Sequence, residues 1–164
     1  MTATEAKPVA TVIGVGPGLG ASLARRFAAK YAVAINARTP DFLHTLANDI
    51  RERGGKALQI QADISKPERV RSAFEAIRTQ LGEPDALLFN AAASPFGNIN
   101  EVTAEQFENC MRVNALGAFL CAKECAPPMI ARGSVSCFLP GRRRASRRVR
   151  DRSRSGRVTL PSGD

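Results

Sequence analysis

The chain has 164 residues, of which 44% are hydrophobic, and this length and composition suit one domain with a buried core. No apolar run approaches the ~20 residues that span a bilayer, and the N-terminus lacks a signal-peptide pattern, so we expect a cytoplasmic protein without a membrane partner. The formal net charge is +9, but nine arginines follow residue 134, so the basicity belongs to a C-terminal tail.

Apolar runs alternate with amphipathic segments from residue 9 to about residue 130. Strands are predicted at residues 9–15, 33–36, 57–61 and 86–89, and the segments between them carry apolar residues at helical spacing. This alternation predicts an α/β fold, a Rossmann-like doubly wound parallel sheet with helices on both faces. The expected strand order is 3-2-1-4.

Three local patterns predict where the later helices begin and end. Ser65 followed by Glu68, and Thr103 followed by Gln106, fit capping boxes at helix N-termini. Pro127 and Pro128 are expected to end the helix that Thr103 begins.

The cysteines and the histidine do not predict a metal site. The four cysteines form no C-x-x-C pair, and His44 is the only histidine. Cys121 and Cys125 lie one helical turn apart and are expected to be small buried hydrophobic residues, with a reactive thiol as the alternative.

A glycine-rich loop directly follows the first strand and contains Gly14, Gly16, Gly18 and Gly20. The pattern G-x-G-x-x-G is not met, because Leu19 stands where the last glycine would follow Gly14 and Gly16; Gly14, Gly18 and Gly20 instead give G-x-x-x-G-x-G. Glycine lacks Cβ, so the backbone can turn sharply and direct N–H groups toward a phosphate at a helix N-terminus. The loop predicts nucleotide binding, with an ordinary glycine-rich turn as the alternative.

Four features in register resemble the short-chain dehydrogenase/reductase family over residues 9–133. They are the G-x-x-x-G-x-G loop, Asp63 and Ile64 after the third strand, the sequence Phe89-Asn90-Ala91-Ala92 after the fourth, and Asn114 in the next helix. Phe89 and Ala92 depart from the family's Asn-Asn-Ala-Gly turn. The chain therefore resembles the N-terminal Rossmann portion of such an enzyme.

The resemblance implies a role for each of these residues. Asp63 would contact the adenine, Asn90 would support the nicotinamide side, and Asn114 would support a proton-relay water. Ile64 and Ala91, which follow Asp63 and Asn90, are also expected to bind the cofactor. The alternatives are that Asp63 begins a turn, that Asn90 caps a strand and that Asn114 is a satisfied helix residue.

The residue that follows the second strand favours NADP over NAD. A carboxylate there would accept hydrogen bonds from the adenosine ribose, whereas an arginine can pair with a 2′-phosphate. The stretch 35–39 has no acidic residue and contains Arg38. A solvated loop charge is the alternative for Arg38.

The catalytic serine, tyrosine and lysine that the resemblance implies are absent from this sequence. Tyr31 is the only tyrosine, Ile35 stands four residues later, and no lysine follows Lys123. By resemblance, the intact enzyme transfers hydride between NADP(H) and a small carbonyl or alcohol substrate. We expect this chain to be inactive, with Asn114 as the only remnant of the catalytic group.

The sequence changes character after residue 135. We divide it into a partial NAD(P)-binding domain, residues 1–135, and an arginine-rich tail, residues 136–164, with disorder expected from about Pro140. One explanation of the tail is an arm that binds nucleic acid or an acidic partner, because clustered arginines bind phosphates. The competing explanation is a truncation or a shifted reading frame, because arginine codons read one base out of register give alanine-type codons. If the chain is made as written, residues 86–89 would form an apolar sheet edge.

A non-enzymatic nucleotide-binding module with a nucleic-acid-binding tail is the alternative function. The enzyme interpretation predicts only nonspecific attraction to nucleic acid. It also implies an oligomer for intact family members, whose contacts we expect this chain to lack.

Overall fold

A parallel sheet of five strands forms the centre of the computed structural model, which describes residues 7–95 and 97–138. The strands are β1 (Val9–Ile13), β2 (Ala32–Ala37), β3 (Lys56–Gln61), β4 (Pro84–Phe89) and β5 (Cys137–Phe138). The helices are α1 (Leu19–Ala28), α2 (Asp41–Glu52), α3 (Pro67–Gln80), α4 (Ala104–Met111) and α5 (Gly117–Ala131), with a π-helical segment, Arg112–Leu116, between the last two. The strand order β3-β2-β1-β4-β5 confirms the Rossmann-like fold and the predicted order 3-2-1-4.

The sheet is covered by helices on both faces. Helices α1 and α2 pack on one face, around Val12 and Ile35, and α3 and α5 pack on the other, around Ile13 and Leu87. All five residues of β1 are buried, as expected of a strand that contacts helices on both sides. Helices on both faces leave the carboxyl ends of the strands as the place for a ligand.

The fifth strand corrects the expectation that β4 has a bare edge. Leu87 and Leu88 pair with Cys137 and Phe138, and the Leu87 N–H donates to the Ser136 carbonyl at 2.9 Å. The outermost described strand is therefore β5, which lies within the range predicted as the tail and whose two residues are exposed. Residues 139–164, which include the region predicted to be disordered, lie outside the described part of the chain.

One predicted capping box is confirmed and the other is wrong. The Thr103 hydroxyl accepts a hydrogen bond from the Gln106 N–H, and the Gln106 side chain accepts one from the Thr103 N–H. Helix α3 instead begins at Pro67 with Lys66 as its N-cap and has no side-chain cap. The fixed φ of proline and its missing N–H favour the first helical position, so Ser65 lies one residue too early to cap the helix.

Helix α5 continues through Pro127 and Pro128 to Ala131, so the predicted helix end at the prolines is wrong. Pro128 has no N–H to donate to the carbonyl four residues earlier, which belongs to Glu124. The Arg78 guanidinium replaces that donor, with 3.0 Å from Nη2 to the Glu124 carbonyl and 2.7 Å to its carboxylate. A side chain of α3 thus supplies the hydrogen bond that the proline cannot make.

Cys121 and Cys125 are fully buried, as predicted for small hydrophobic residues. Burial raises the pKa of the Cys121 thiol to about 12 and also raises the pKa of Cys125. These thiols are therefore poor nucleophiles at neutral pH.

The described residues contain neither a metal-binding cluster nor a membrane-spanning helix. Within residues 7–95 and 97–138, no group of three or more His, Cys, Asp or Glu side chains is arranged to hold a metal ion. The same residues contain no helix long and apolar enough to cross a membrane.

Candidate cofactor-binding site

A cavity of about 1120 Å³ lies beyond the carboxyl ends of β1 to β4. Its walls come from the chain at and beyond the ends of the four strands and from the helical stretch that holds α4 and the π-helical segment. The lining consists of Gly14, Val15, Gly16 and Leu19, of residues 36–39, of Ala62, Asp63 and Ile64, of residues 90–94, and of Asn109 and Val113. Carboxyl ends of parallel strands are where ligands bind in open α/β sheets.

Most of the sequence-predicted site residues meet in this cavity. Those that line it are Gly14, Gly16, Leu19, Arg38, Asp63, Ile64, Asn90 and Ala91. Gly18, Gly20 and Asn114 do not line it and lie behind or beside its wall. The first group is therefore placed to touch a ligand. Gly20 and Asn114 shape the wall, and Gly18 stands beside it as the N-cap of α1.

Gly14 has a backbone that only glycine adopts readily. Its φ is +82°, and a Cβ at this position would lie 2.3 Å from the backbone N and Cα of Ala91. The chain therefore turns sharply at the end of β1, directly against the loop that follows β4.

Of the other glycines in the loop, Gly20 is closely packed, whereas Gly16 and Gly18 have open space where a side chain would stand. A Cβ on Gly20 would lie 2.8 Å from the Gly14 carbonyl oxygen and the Val15 Cα, so Gly20 lets α1 pack against the loop. A Cβ on Gly16 or Gly18 would meet nothing within 4 Å. The backbone at these two positions faces open space, where a ligand can approach it closely.

Hydrogen bonds from both sides hold the glycine loop (residues 14–20). The Asn36 carbonyl accepts from the Gly14 N–H at 3.1 Å and from the Val15 N–H at 2.8 Å. From the other side, the Asn90 amide donates to the Gly14 carbonyl at 2.8 Å, and the Asn90 N–H donates to the Ile13 carbonyl at 2.8 Å. The loop is thus fixed between β2 and β4.

The N-terminus of α1 is suited to an anion. Gly18 is the N-cap, it supplies no side-chain cap, and the first turn contains no acidic residue. Backbone N–H groups at such a terminus and the helix dipole both attract negative charge. Phosphate is the group that this arrangement favours.

Two charged residues, Arg38 and Asp63, line the cavity just beyond the ends of β2 and β3. Burial opposes ionisation of Asp63 and by itself would raise its pKa. Hydrogen bonds from Ser65, one of them 2.9 Å long from its backbone N–H, act in the opposite direction. Together with the charges of Arg38 and Lys66, they lower the Asp63 pKa. Arg38 is exposed and lines the cavity. This end of the site therefore offers a carboxylate acceptor and a guanidinium donor.

Asn114 lies in the π-helical segment and bonds to the loop after β4. Its Oδ1 accepts from the Ala93 N–H at 2.8 Å, and its Nδ2 donates to the Ala93 carbonyl at 2.7 Å. In this structure the side chain fixes the loop at residues 90–94. One Nδ2–H and one lone pair of Oδ1 are therefore engaged within the protein.

Sequence reasoning missed four notable residues of the cavity: Asn36, Ser94, Asn109 and Val113. Asn109 and Val113 are four residues apart in the helix that carries Asn114, and this spacing could have placed both on one face. No comparable signal was available for Asn36 or Ser94, because an asparagine in a buried strand and a serine in a loop have many roles.

Comparison with known proteins identifies the family. The model of the family described as short chain dehydrogenase matches residues 8–136. The chain belongs to the short-chain dehydrogenase family. This is a family of NAD(P)-dependent oxidoreductases, and the resemblance deduced from the sequence is confirmed.

Individual members of the short-chain dehydrogenase family agree with this. Elsinochrome reductase 1 of Elsinoe fawcettii is 34% identical over 118 residues, which cover 71% of this chain and 44% of that protein. The crystal structure of L-sorbose reductase from Gluconobacter frateurii, complexed with NADPH and L-sorbose, is 28% identical with a TM-score of 0.75. The match covers 80% of this chain and 51% of that one. The crystal structure of gluconate 5-dehydrogenase from Burkholderia cenocepacia, in complex with NADP and tartrate, is 32% identical with a TM-score of 0.72. The match covers 79% of this chain and 51% of that one. The chain spans about half the length of these proteins.

Proposed function

We propose that this chain binds NADP(H) and forms the cofactor-binding part of a reductase. The cavity between the four strand ends carries the proposal, because it combines bare backbone at Gly16, an uncapped helix N-terminus and an exposed arginine. The first two suit a pyrophosphate. Arg38 suits the 2′-phosphate that distinguishes NADP from NAD.

The remaining residues fit the rest of the cofactor. Asp63 and Ile64 would hold the adenine, since one offers a carboxylate and the other a buried apolar surface beside the cavity. Asn90 would fix the nicotinamide side through its bond to the Gly14 carbonyl, and Ala91 would let the cofactor approach the loop closely. When bound, NADPH supplies the hydride for reduction of a small carbonyl compound, or NADP+ accepts one from an alcohol.

We also propose that the chain alone does not turn over a substrate. General acid–base catalysis needs a group of suitable pKa within hydrogen-bond reach of the reacting oxygen. The Ser and Tyr-x-x-x-Lys set is missing from the sequence, and the Asn114 amide is used by Ala93. Ketone-dependent oxidation of NADPH that is abolished by altering Asn114 would contradict this.

A binding experiment tests the cofactor. NADPH and NADH fluorescence would be titrated with the wild-type chain, with Arg38→Ala and with Arg71→Ala, an exposed arginine of α3 away from the cavity. We expect tighter binding of NADPH than of NADH, and Arg38→Ala should lose about ten-fold in NADPH affinity with little change for NADH. Equal losses for Arg38→Ala and Arg71→Ala would refute the role of Arg38.

A further inference from the structure

Asn36 is a buried polar residue whose side chain bonds to the loop after β3. It is 3% exposed, and its Nδ2 donates to the Ile60 carbonyl at 3.1 Å and to the Ala62 carbonyl at 3.2 Å. Ala62 lies just beyond the end of β3, where the backbone turns into the cavity wall. The amide therefore fixes the direction in which the chain leaves β3 toward Asp63.

The backbone of the same residue bonds to the glycine loop. Asn36 pairs with Ile13 of β1 on one side and with Ile60 of β3 on the other. Its carbonyl accepts from the N–H groups of Gly14 and Val15, which begin the glycine loop. One residue is thus hydrogen-bonded to two of the loops that line the cavity.

The geometry gives Asn36 a function that an apolar strand residue could not perform. A buried carbonyl without a donor is costly, so the Ala62 carbonyl would turn away if the amide were absent. Asp63 is the next residue and would move with it. A backbone bond of 3.1 Å from the Ala62 N–H to the Ala37 carbonyl also holds this loop against β2. The Asn36 side chain adds the restraint on the Ala62 carbonyl, and with it on the spacing between the glycine loop and the loop at residues 62–64.

We propose that Asn36 is a positioning residue of the nucleotide site, which holds the loop at residues 62–64 at a fixed distance from the glycine loop. This rests on the proposed binding of NADP(H). The residue acts through the two loops and needs no contact with the cofactor.

The test compares Asn36→Asp and Asn36→Leu with the wild-type chain. The aspartate keeps the shape but places acceptors opposite two carbonyls, and the leucine removes the polar group. Ile77→Val is the control, because Ile77 is buried between α3 and the sheet and its truncation lowers stability by packing alone. If Asn36→Leu does not fold, Asn36→Ala replaces it.

Two measurements are made on each variant. We expect amide hydrogen exchange to rise in peptides that cover residues 60–65, and NADPH affinity to fall about ten-fold in the Asn36 variants and not in Ile77→Val. The proposal would be overturned if the Asn36 variants kept both wild-type exchange and wild-type NADPH affinity. It would also be overturned if they lost no more NADPH affinity than a control variant of equal melting temperature. Exchange is measured without cofactor, so failure of the wild-type chain to bind NADPH would count against the proposed function alone.

Discussion

Gly14 and Gly16 stand two residues apart and are glycines for different reasons. At Gly14 the positive φ and the backbone of Ala91 exclude any side chain, whereas Gly16 has free space around it. The first glycine serves the fold, and the second leaves the cavity open to a ligand.

The two alanine substitutions should therefore have different effects. We expect Gly14→Ala to lower the free energy of unfolding by about 2 kcal/mol or more, because the strained backbone and the contact with Ala91 cannot both be relieved. Gly16→Ala should leave stability within about 0.5 kcal/mol but weaken NADPH binding. Urea unfolding and fluorescence titration measure the two effects, and equal losses of stability would contradict this division.

Thr11 lies at the centre of β1 and is fully buried, and among the described residues its hydroxyl has no hydrogen-bond partner. We expect Thr11→Val to raise the free energy of unfolding by about 1 kcal/mol, because a methyl group replaces an unsatisfied polar atom of the same size. Urea unfolding checks this. Thr79→Val is the control, since the Thr79 hydroxyl donates to the Glu75 carbonyl at 2.9 Å and should show no gain. A destabilised Thr11→Val would mean that the hydroxyl has a partner.

The lowered pKa of Asp63 links stability to pH. A carboxyl whose pKa is lower in the folded state adds stability above its unfolded pKa and loses it as the pH falls through the folded value. Between about pH 6 and about pH 3, Asp63→Asn should therefore lose less stability than the wild-type chain. Unfolding curves at both pH values measure this, and parallel losses in the two proteins would argue against it.

At the level of elements, α5 depends on a residue outside itself. Arg78→Met should lower the free energy of unfolding by about 1–3 kcal/mol, because the Glu124 carbonyl and carboxylate both lose their donor. Circular dichroism during urea unfolding measures this.

Glu83→Gln is the matched control for Arg78→Met. It removes a more exposed partner of the same arginine and should cost less than about 1 kcal/mol. If both substitutions lowered the free energy of unfolding equally, the hydrogen bond from Arg78 to the Glu124 carbonyl would not stabilise α5.

The sequence predicted the elements whose signal is local. Strands β1 to β4 are apolar runs, and the capping box at Thr103 is complete within four residues, so each was visible without tertiary structure. The continuation of α5 was not, because the donor that compensates Pro128 lies 46 residues before Glu124. Strand β5 escaped prediction because two residues carry no periodicity.

The same division holds within the candidate site. The glycine loop and Arg38 were found because residue type and position after a strand are readable from the sequence. Asn36 was missed because its role depends on carbonyl groups of β3, which only the parallel pairing of β2 and β3 brings beside it.

At the level of the whole molecule, β5 is the edge strand of the sheet within the described part of the chain. Phe138 is 50% exposed and Val135 is 60% exposed beside it. Exposed apolar edges pair with other chains. We expect association that grows with concentration and that Phe138→Glu reduces.

Light scattering over a concentration series checks this association. Ile99→Glu is the control, because Ile99 is an isolated exposed apolar residue in a loop, 89% exposed, and its replacement should change little. A monomer at all concentrations for the wild-type chain would contradict association through the edge.

The π-helical segment separates what the scaffold needs from what the site needs. A π turn contains one residue more than an α turn, so α4 and α5 form one continuous rod with a single surplus residue. Deleting a residue there would leave an ordinary α-helix whose buried positions, including Cys121 and Met129, still face the sheet. The segment carries Val113, which lines the cavity, and Asn114, which pairs with Ala93, so the extra residue bears on how this helix meets the cavity wall.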